Sequence, residues 1–393
     1  MQRRVSASEE LALSLVRGDP LLEAQRRLGL VPANSLGVGR RALLLALVAW
    51  LPIAIWALVR NRVLPGGAVE EPLLQHFGVH VRCLLGIPLL VIAEGVAHGT
   101  STRLLPHFVR SGLVKEADQP RFREILRGVA RLRDRTLPWI TIVGVVLALQ
   151  AVSPTESHEL LWAGEGAAPT SFGFGGWWFA WVARPIFLAL VFGWIWRLVL
   201  LCVLFRRIAR LDLAFVPTHP DGAAGLGFLE RVPTMFAPVV LGLSGVLASR
   251  WAHDVMYHGV HVQALRMQMI AVIVLALVLF LAPLLLWFGT LSAAKRQALL
   301  DYGNLVGEHG RLVRRRWILR DPITDDRLLG AQEIGPVADT ITLYEAVRKM
   351  RTVPIGRSSL LVIVLAAGVP MLFVLAIEIP VRELLMGVLK TLA

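Results

Sequence analysis

Cysteine is nearly absent: the 393-residue chain has two, Cys83 and Cys202, and both fall inside apolar stretches. Two thiols cannot build a disulfide framework, and in such surroundings they read as small hydrophobes rather than redox centres. Charge is scarce as well, 18% of the chain, and the acidic share is the smaller, 28 Asp and Glu against 41 Lys and Arg. There is no Walker sequence, no HExxH helix and no glycine spacing of a phosphate loop, and no nucleophile, base and acid arrangement emerges, so an enzymatic role is not indicated. No internal repeat is discernible, which counts against transporters built from overt inverted repeats. The N-terminus, MQRRVSASEELALSLVRGDP, lacks the unbroken apolar core of a cleaved signal peptide because Glu9, Glu10 and Arg17 interrupt it. The first spanning helix is expected to act as the targeting signal.

What the chain has in abundance is apolar sequence, 55% of its residues. Runs near the roughly 20 residues that cross a bilayer predict an all-α fold, a polytopic membrane helix bundle whose partner is the lipid bilayer. Seven spans are expected, within a range of six to eight: 42–59, 79–98, 136–152, 177–204, 233–252, 267–290 and 359–378. Of the 41 Lys and Arg, 32 fall in the segments 1–41, 99–135, 206–231 and 292–358, 6 fall in the alternate segments, and Arg82, Arg184 and Arg197 lie within spans. That bias predicts a cytoplasmic N-terminus and an outer C-terminus. The formal charge of +13 thus reads as topology and headgroup contact, with no nucleic acid as partner.

The chain divides accordingly into a cytoplasmic amphipathic segment (1–41), two spans (42–98), a cytoplasmic helical loop (99–135), spans three to six (136–290, with the cytoplasmic loop 206–232), a cytoplasmic helical region (291–358), a last span (359–378) and an outer interfacial tail (379–393). Segment 5–30, with a cap at Ser6 and Glu9, reads as one or two amphipathic helices broken near Gly18–Pro20 and lying on the membrane or on the cytoplasmic domain. Phe122, Ile125, Leu126, Val129 and Leu132 recur at helical spacing within 118–135. Region 292–358 breaks at DPITDD and carries Leu299, Leu300, Leu305 and Leu312 on one helix and Ile341, Leu343 and Val347 on the next. Prolines at 88, 138, 185, 238, 283 and 370 lie within or at the ends of six spans, where each can bend its helix.

Ionisable groups in membrane segments are the first candidates for a site. Glu94 and His98, four residues apart, share a helix face and suit a hydrogen-bonded proton-accepting pair, with Arg82 twelve residues earlier. Arg184 and Arg197 occupy one span but opposite sides of it, and Arg184 follows the interfacial aromatics Trp177, Trp178 and Trp181. These groups read either as snorkelling or bundle-internal pairs, or as the lining of an ion pathway. In the outer stretch SRWAHDVMYHGVH, Asp254, His258 and His261 fall at i, i+4 and i+7 beside His253. That set suits a divalent metal or pH sensing, with surface polar residues as the alternative, and Gly259 argues against continuous helix. No other cofactor is expected.

The stretch FVPTHPDGAAGLGFLE at 215–230 places His219 and Asp221 in a turn, either as caps of neighbouring helices or as part of a binding site. Together with LLGAQEIGPVADTITLYEAVRKMRTVPIGRSSLL at 328–361, this stretch resembles a group of multi-pass bacterial inner-membrane proteins. That group carries a His-Pro-Asp turn, a Gly-Leu-Gly segment and a late helix ending in Arg-x-Val-Pro. The resemblance extends over most of the chain after the second span, and it implies a bacterial inner membrane but no activity. Position 224, alanine here, is more usually glycine in that group, which matters only if the backbone needs a positive φ there. Three functional classes stay open. The first is an ion or small-solute pathway, channel-like or transporter-like; the second is a membrane scaffold or sensor whose cytoplasmic helices bind a soluble protein partner; the third is a membrane-embedded metal-dependent enzyme. A homo-oligomer is compatible with all three.

Overall fold

The computed structural model describes residues 11, 13–27, 29, 31–32, 36–64, 71–152, 157–164, 172–320 and 335–378. In chain order its helices are α1 (Pro20–Arg27), α2 (Val38–Val59), α3 (Phe77–Val81), α4 (Ile87–Leu104), α5 (His107–Arg110), α6 (Gln119–Arg133), α7 (Leu137–Val152), α8 (Phe174–Trp178), α9 (Arg184–Ile208), α10 (Ala237–Tyr257), α11 (Val262–Leu285), α12 (Phe288–Val313), α13 (Gly335–Lys349) and α14 (Arg357–Glu378). Among the described residues there is no strand, only two isolated bridges. The predicted caps at Ser6 and Glu9, the DPITDD break and the tail 379–393 lie outside the described residues.

Among the described residues, six helical stretches are long and apolar enough to cross a membrane: Val38–Val59, Phe77–Arg110, Phe174–Ile208, Gly227–Tyr257, Val262–Leu285 and Arg357–Glu378. Their outer faces expose large apolar side chains such as Leu58, Leu275 and Phe373, which water would not tolerate in such number. The chain is an integral membrane protein. The remaining predicted span, α7, has 16 residues, about 24 Å at the usual rise. It runs antiparallel beside α9, because Trp139 near its start packs on Gly193 and Gln150 near its end donates to the Ala180 carbonyl.

Two of these spanning stretches thread through π turns, Arg82–Gly86 before α4 and Phe179–Ala183 before α9. Each π turn ends two residues before a proline, Pro88 and Pro185. A proline offers no N–H to the preceding turn and its ring crowds the carbonyl there, and one extra residue per turn relieves both. The sixth predicted span extends to 290, but helix α11 contains Pro283 and ends at Leu285, and the chain turns at Leu286–Trp287 before α12 begins. Close helix approach depends on small residues: Ser244 donates to the Ala366 carbonyl at 3.0 Å, and Gly242 faces Gly86. The amphipathic stretch 118–135 forms α6 as its spacing predicts, burying Phe122, Leu126 and Val129.

Candidate functional site

The N-terminal segment does not lie on the surface of the bundle but packs into its core. Leu15, Val16 and Leu22 are fully buried there in the main core. The predicted break at Gly18–Pro20 is present. Ser14 Oγ accepts from Val16 and Arg17 N–H at 3.2 and 2.9 Å, Gly18 turns the chain at φ +100°, and Pro20 opens α1. Arg133 of α6 holds this turn by donating from Nη1 to the Ser14 carbonyl.

Asp19 then serves two helices with one carboxylate. Its Oδ1 caps α1 by accepting from Leu21 N–H at 3.0 Å, and its Oδ2 accepts from Arg197 Nη2 of α9 at 2.9 Å. The same Arg197 Nη2 reaches Glu94 Oε1 of α4 at 2.9 Å, while Glu94 Oε2 accepts from Arg41 Nη1 of α2 at 2.6 Å. Arg41 Nε completes the array on Gln25 Oε1 of α1 at 2.6 Å. All four charged side chains are 2% exposed or less, and two guanidiniums balance two carboxylates. A charge in the membrane interior survives only when paired in this way. Arg197 also lies 5.1 Å from the Trp194 ring centroid, and its Nε and Nη1 are buried without a protein acceptor among the described residues.

Burial is the largest influence on Asp19 and raises its carboxyl pKa above the ordinary 3.8, against the pull of Arg197 and with a further push from Glu94. Detached from the bundle, Asp19 would titrate near its ordinary value. Docking is therefore favoured most below that value and weakens as pH rises through the raised one.

Of the other predicted membrane residues, His98 meets the same N-terminal segment through Ser14 Oγ at 2.8 Å. His98 thus meets the inserted segment directly, whereas Glu94 reaches it only through Arg41 and Arg197. Arg82 lies over the Phe179 and Phe187 rings at 5.2 and 5.8 Å. Arg184 is half-buried at the start of α9, about 20 Å along the helix from Arg197. Sequence reasoning missed Asp19, Gln25 and Arg41, whose only signal was an unremarkable cap and a flanking positive charge. A groove of about 1200 Å³, lined by none of the array residues, runs along α4 past Gly95 and Gly99 to Glu230 and the exposed Arg103, Arg110 and Arg231.

Gly18 tests the fit of the inserted segment. A Cβ there would lie 2.4 Å from Arg133 Nη2 and 2.9 Å from Asp134 Oδ1, on a backbone that side chains rarely adopt. Gly18→Ala is expected to loosen the segment at a cost of about 1–2 kcal/mol. Faster hydrogen exchange at Leu15 and Val16, with the spans unchanged, is the readout.

In the loop after α9, the Asp221 carboxylate accepts three backbone N–H groups, from Ala223 at 2.8 Å, Gly225 at 3.2 Å and Gly227 at 2.7 Å. His219 Nδ1 adds a contact to Asp221 Oδ1 at 3.0 Å. Ala224 has φ +54°, a left-handed backbone that glycine would adopt without strain. Residues of the stretches 215–230 and 335–361 meet here. Arg351 donates its N–H to the Gly222 carbonyl at 2.8 Å and its Nη2 to the Asp221 carbonyl at 2.7 Å, and pairs with Glu230 at 2.5 Å.

At the other end of the bundle, α10 stops at Tyr257 and Gly259 adopts φ +66°. His261 is therefore off the helix, 86% exposed, and 3.6 Å from Glu378. His253 and His258 come together, Nε2 to Nε2 at 3.3 Å, but the next partners are Glu71 and His76 rather than Asp254 and His261. Glu71 Oε2 lies 3.6 Å from His76 Nε2 and 3.7 Å from His253 Nε2. Comparison with protein-family models, with curated proteins and with solved structures returned no match.

Proposed function

We propose that this integral membrane protein is an ion or small-solute pathway held shut by its own N-terminal segment, in a bacterial inner membrane with the N-terminus cytoplasmic and the C-terminus outside. The reading rests on one observation above all: the charges buried within the spans, Arg41, Glu94 and Arg197, carry one excess positive charge that is balanced by Asp19, which belongs to no span. A purely structural ion pair needs no group supplied from outside the spans. The groove lined by Arg103, Arg110 and Arg231 supports an anionic solute, as do the remaining donors of Arg197. The orientation follows the distribution of basic residues, with α7 counted as the third of seven crossings.

Flux across proteoliposomes tests the reading, with chloride, other small anions, protons and monovalent cations each followed under a gradient. A chain beginning at Leu36 should pass an anion at least about tenfold faster than the full chain, and a more alkaline interior of the N-terminal side should move the full chain toward that rate. Absence of flux in both, with folded and oriented protein, would overturn it.

A second reading has its own support. Leu300 and Leu305 on α12 and Ile341 and Leu343 on α13 are exposed on helices beyond the spans, while Val347 is buried between them and the bundle. An apolar face of this kind suits a scaffold or sensor that binds a soluble protein, or a second copy of the chain.

A further inference from the structure

We propose that Glu71, His76, His253 and His258 form a binding site for one divalent transition-metal ion of the zinc class, at the end of the bundle opposite the Asp221 loop. The inference is independent of the pathway reading, because it concerns other residues and its test measures no flux.

The site joins two pieces of chain that lie far apart in sequence. His253 occupies the last turns of α10 and His258 follows its final residue. Glu71 and His76 flank the short turn Leu73–Gln75 that leads into α3. That turn is fixed from behind, with Leu73 and Leu74 N–H donating to the Arg62 and Val63 carbonyls at 2.9 and 3.3 Å. The ligand atoms of Glu71, His76 and His253 all lie within 4.8 Å of one another. The closer separations are 3.6 Å from Glu71 to His76, 3.7 Å from Glu71 to His253 and 3.3 Å from His253 to His258. A tetrahedral ion with bonds of about 2.0–2.1 Å needs ligand atoms roughly 3.3–3.4 Å apart. Rotation of the Glu71, His76 and His253 side chains closes the difference, and the exposed His258, which meets His253, swings further to serve as the fourth ligand.

The protonation pattern points the same way. His253 Nδ1 is 2.9 Å from the Gln75 carbonyl, and a carbonyl only accepts, so Nδ1 carries the hydrogen. In the neutral ring Nε2 then presents its lone pair, facing the Glu71 carboxylate oxygen at 3.7 Å. His258 Nε2 meets the same lone pair at 3.3 Å, and a cation among the three atoms would satisfy all of them at once. Glu71 Oε2 is buried and has no hydrogen-bond donor among the described residues. A carbonyl on the distal ring nitrogen is also the usual outer contact that orients a metal-bound imidazole. Three imidazoles with one carboxylate favour zinc and its neighbours over calcium or magnesium, which take oxygen ligands. An ion held here would staple the loop after α2 to the end of α10.

The test uses the full chain in detergent micelles, stripped with a chelator, then titrated with zinc by calorimetry and with cobalt by visible absorption. One equivalent of zinc is expected to bind and raise the melting temperature, and cobalt should give the intense bands of a four-coordinate site. His253→Ala and His76→Ala should each weaken zinc binding by at least about tenfold. Asp254→Asn and His261→Ala should leave it within about twofold, since neither residue belongs to the cluster. His258→Ala, a change at an exposed position, keeps the test valid where a buried variant fails to fold. The proposal is overturned if the folded wild type takes up no zinc at one equivalent, if His258→Ala and His253→Ala both bind like the wild type, or if His261→Ala abolishes binding. A pH-dependent melting temperature without zinc uptake would also overturn it, and would assign the cluster to an imidazolium–carboxylate pair.

Discussion

Replacing Arg197 by leucine is expected to destabilise the folded protein by about 3–5 kcal/mol, because it leaves two buried carboxylates facing one remaining guanidinium. Glu94 would keep Arg41 at 2.6 Å, but Asp19 would keep only the Leu21 N–H. Asp19→Asn leaves two buried guanidiniums against Glu94 alone and should also destabilise, though by less than Arg197→Leu, since the amide oxygen still caps α1 and still accepts from Arg197. The Arg197→Leu and Asp19→Asn changes combined should cost less than their sum, because the asparagine no longer needs the guanidinium. Unfolding of the micellar protein in rising fractions of a denaturing detergent reads all three. Equal stability of Arg197→Leu and wild type would mean that the array does not hold the N-terminal segment, and the proposed closure would fall with it.

This array was half legible in the sequence. Glu94 and Arg197 stood out because a charge inside an apolar run of spanning length always demands a partner. Their partners did not stand out. Asp19 precedes Pro20 as an ordinary helix cap would, and Arg41 sits where a flanking basic residue is expected to meet headgroups. Only a contact across 178 residues of sequence turns that cap into an ion-pair partner. Six of the seven expected spans coincide with helical stretches of spanning length, since crossing a bilayer imposes length and composition together, but the helices run up to twelve residues past the expected ends. The break after Leu285 was not, because Pro283 bends some helices and ends others according to what packs around it. At the opposite end, the helical spacing of Asp254, His258 and His261 assumed a helix that the chain leaves at Tyr257. The true neighbours of His253 come from a loop before the second span, and no periodicity connects them.

Replacing Arg351 by methionine is expected to cost about 2–3 kcal/mol, although the residue is neither apolar nor inside a span. Its guanidinium donates to the Asp221 carbonyl at 2.7 Å and the Ile355 carbonyl at 2.8 Å and neutralises Glu230 at 2.5 Å. Methionine preserves the length of the stem and removes all three contacts, leaving Glu230 partly buried without its cation. The loop it clamps has its own acid sensitivity. Burial works to raise the pKa of Asp221, but the N–H groups of Ala223, Gly227 and Gly225, with His219 beyond them, hold it below the ordinary 3.8. A lowered pKa means that the stabilisation is complete above about 3.8 and is lost as pH falls through the lower folded value. Asp221→Asn should therefore erase the steepest part of the stability loss below pH about 4 while lowering stability at neutral pH. Arg351→Met should lower stability at both pH values, because a guanidinium stays charged throughout. Unfolding at acid and neutral pH separates the two. If Asp221→Asn retained the acid step of the wild type, the three N–H contacts would not be what fixes the loop. The clamp would then rest on Arg351 and on Ser359 of α14, whose hydroxyl donates to the Glu230 carbonyl at 2.8 Å.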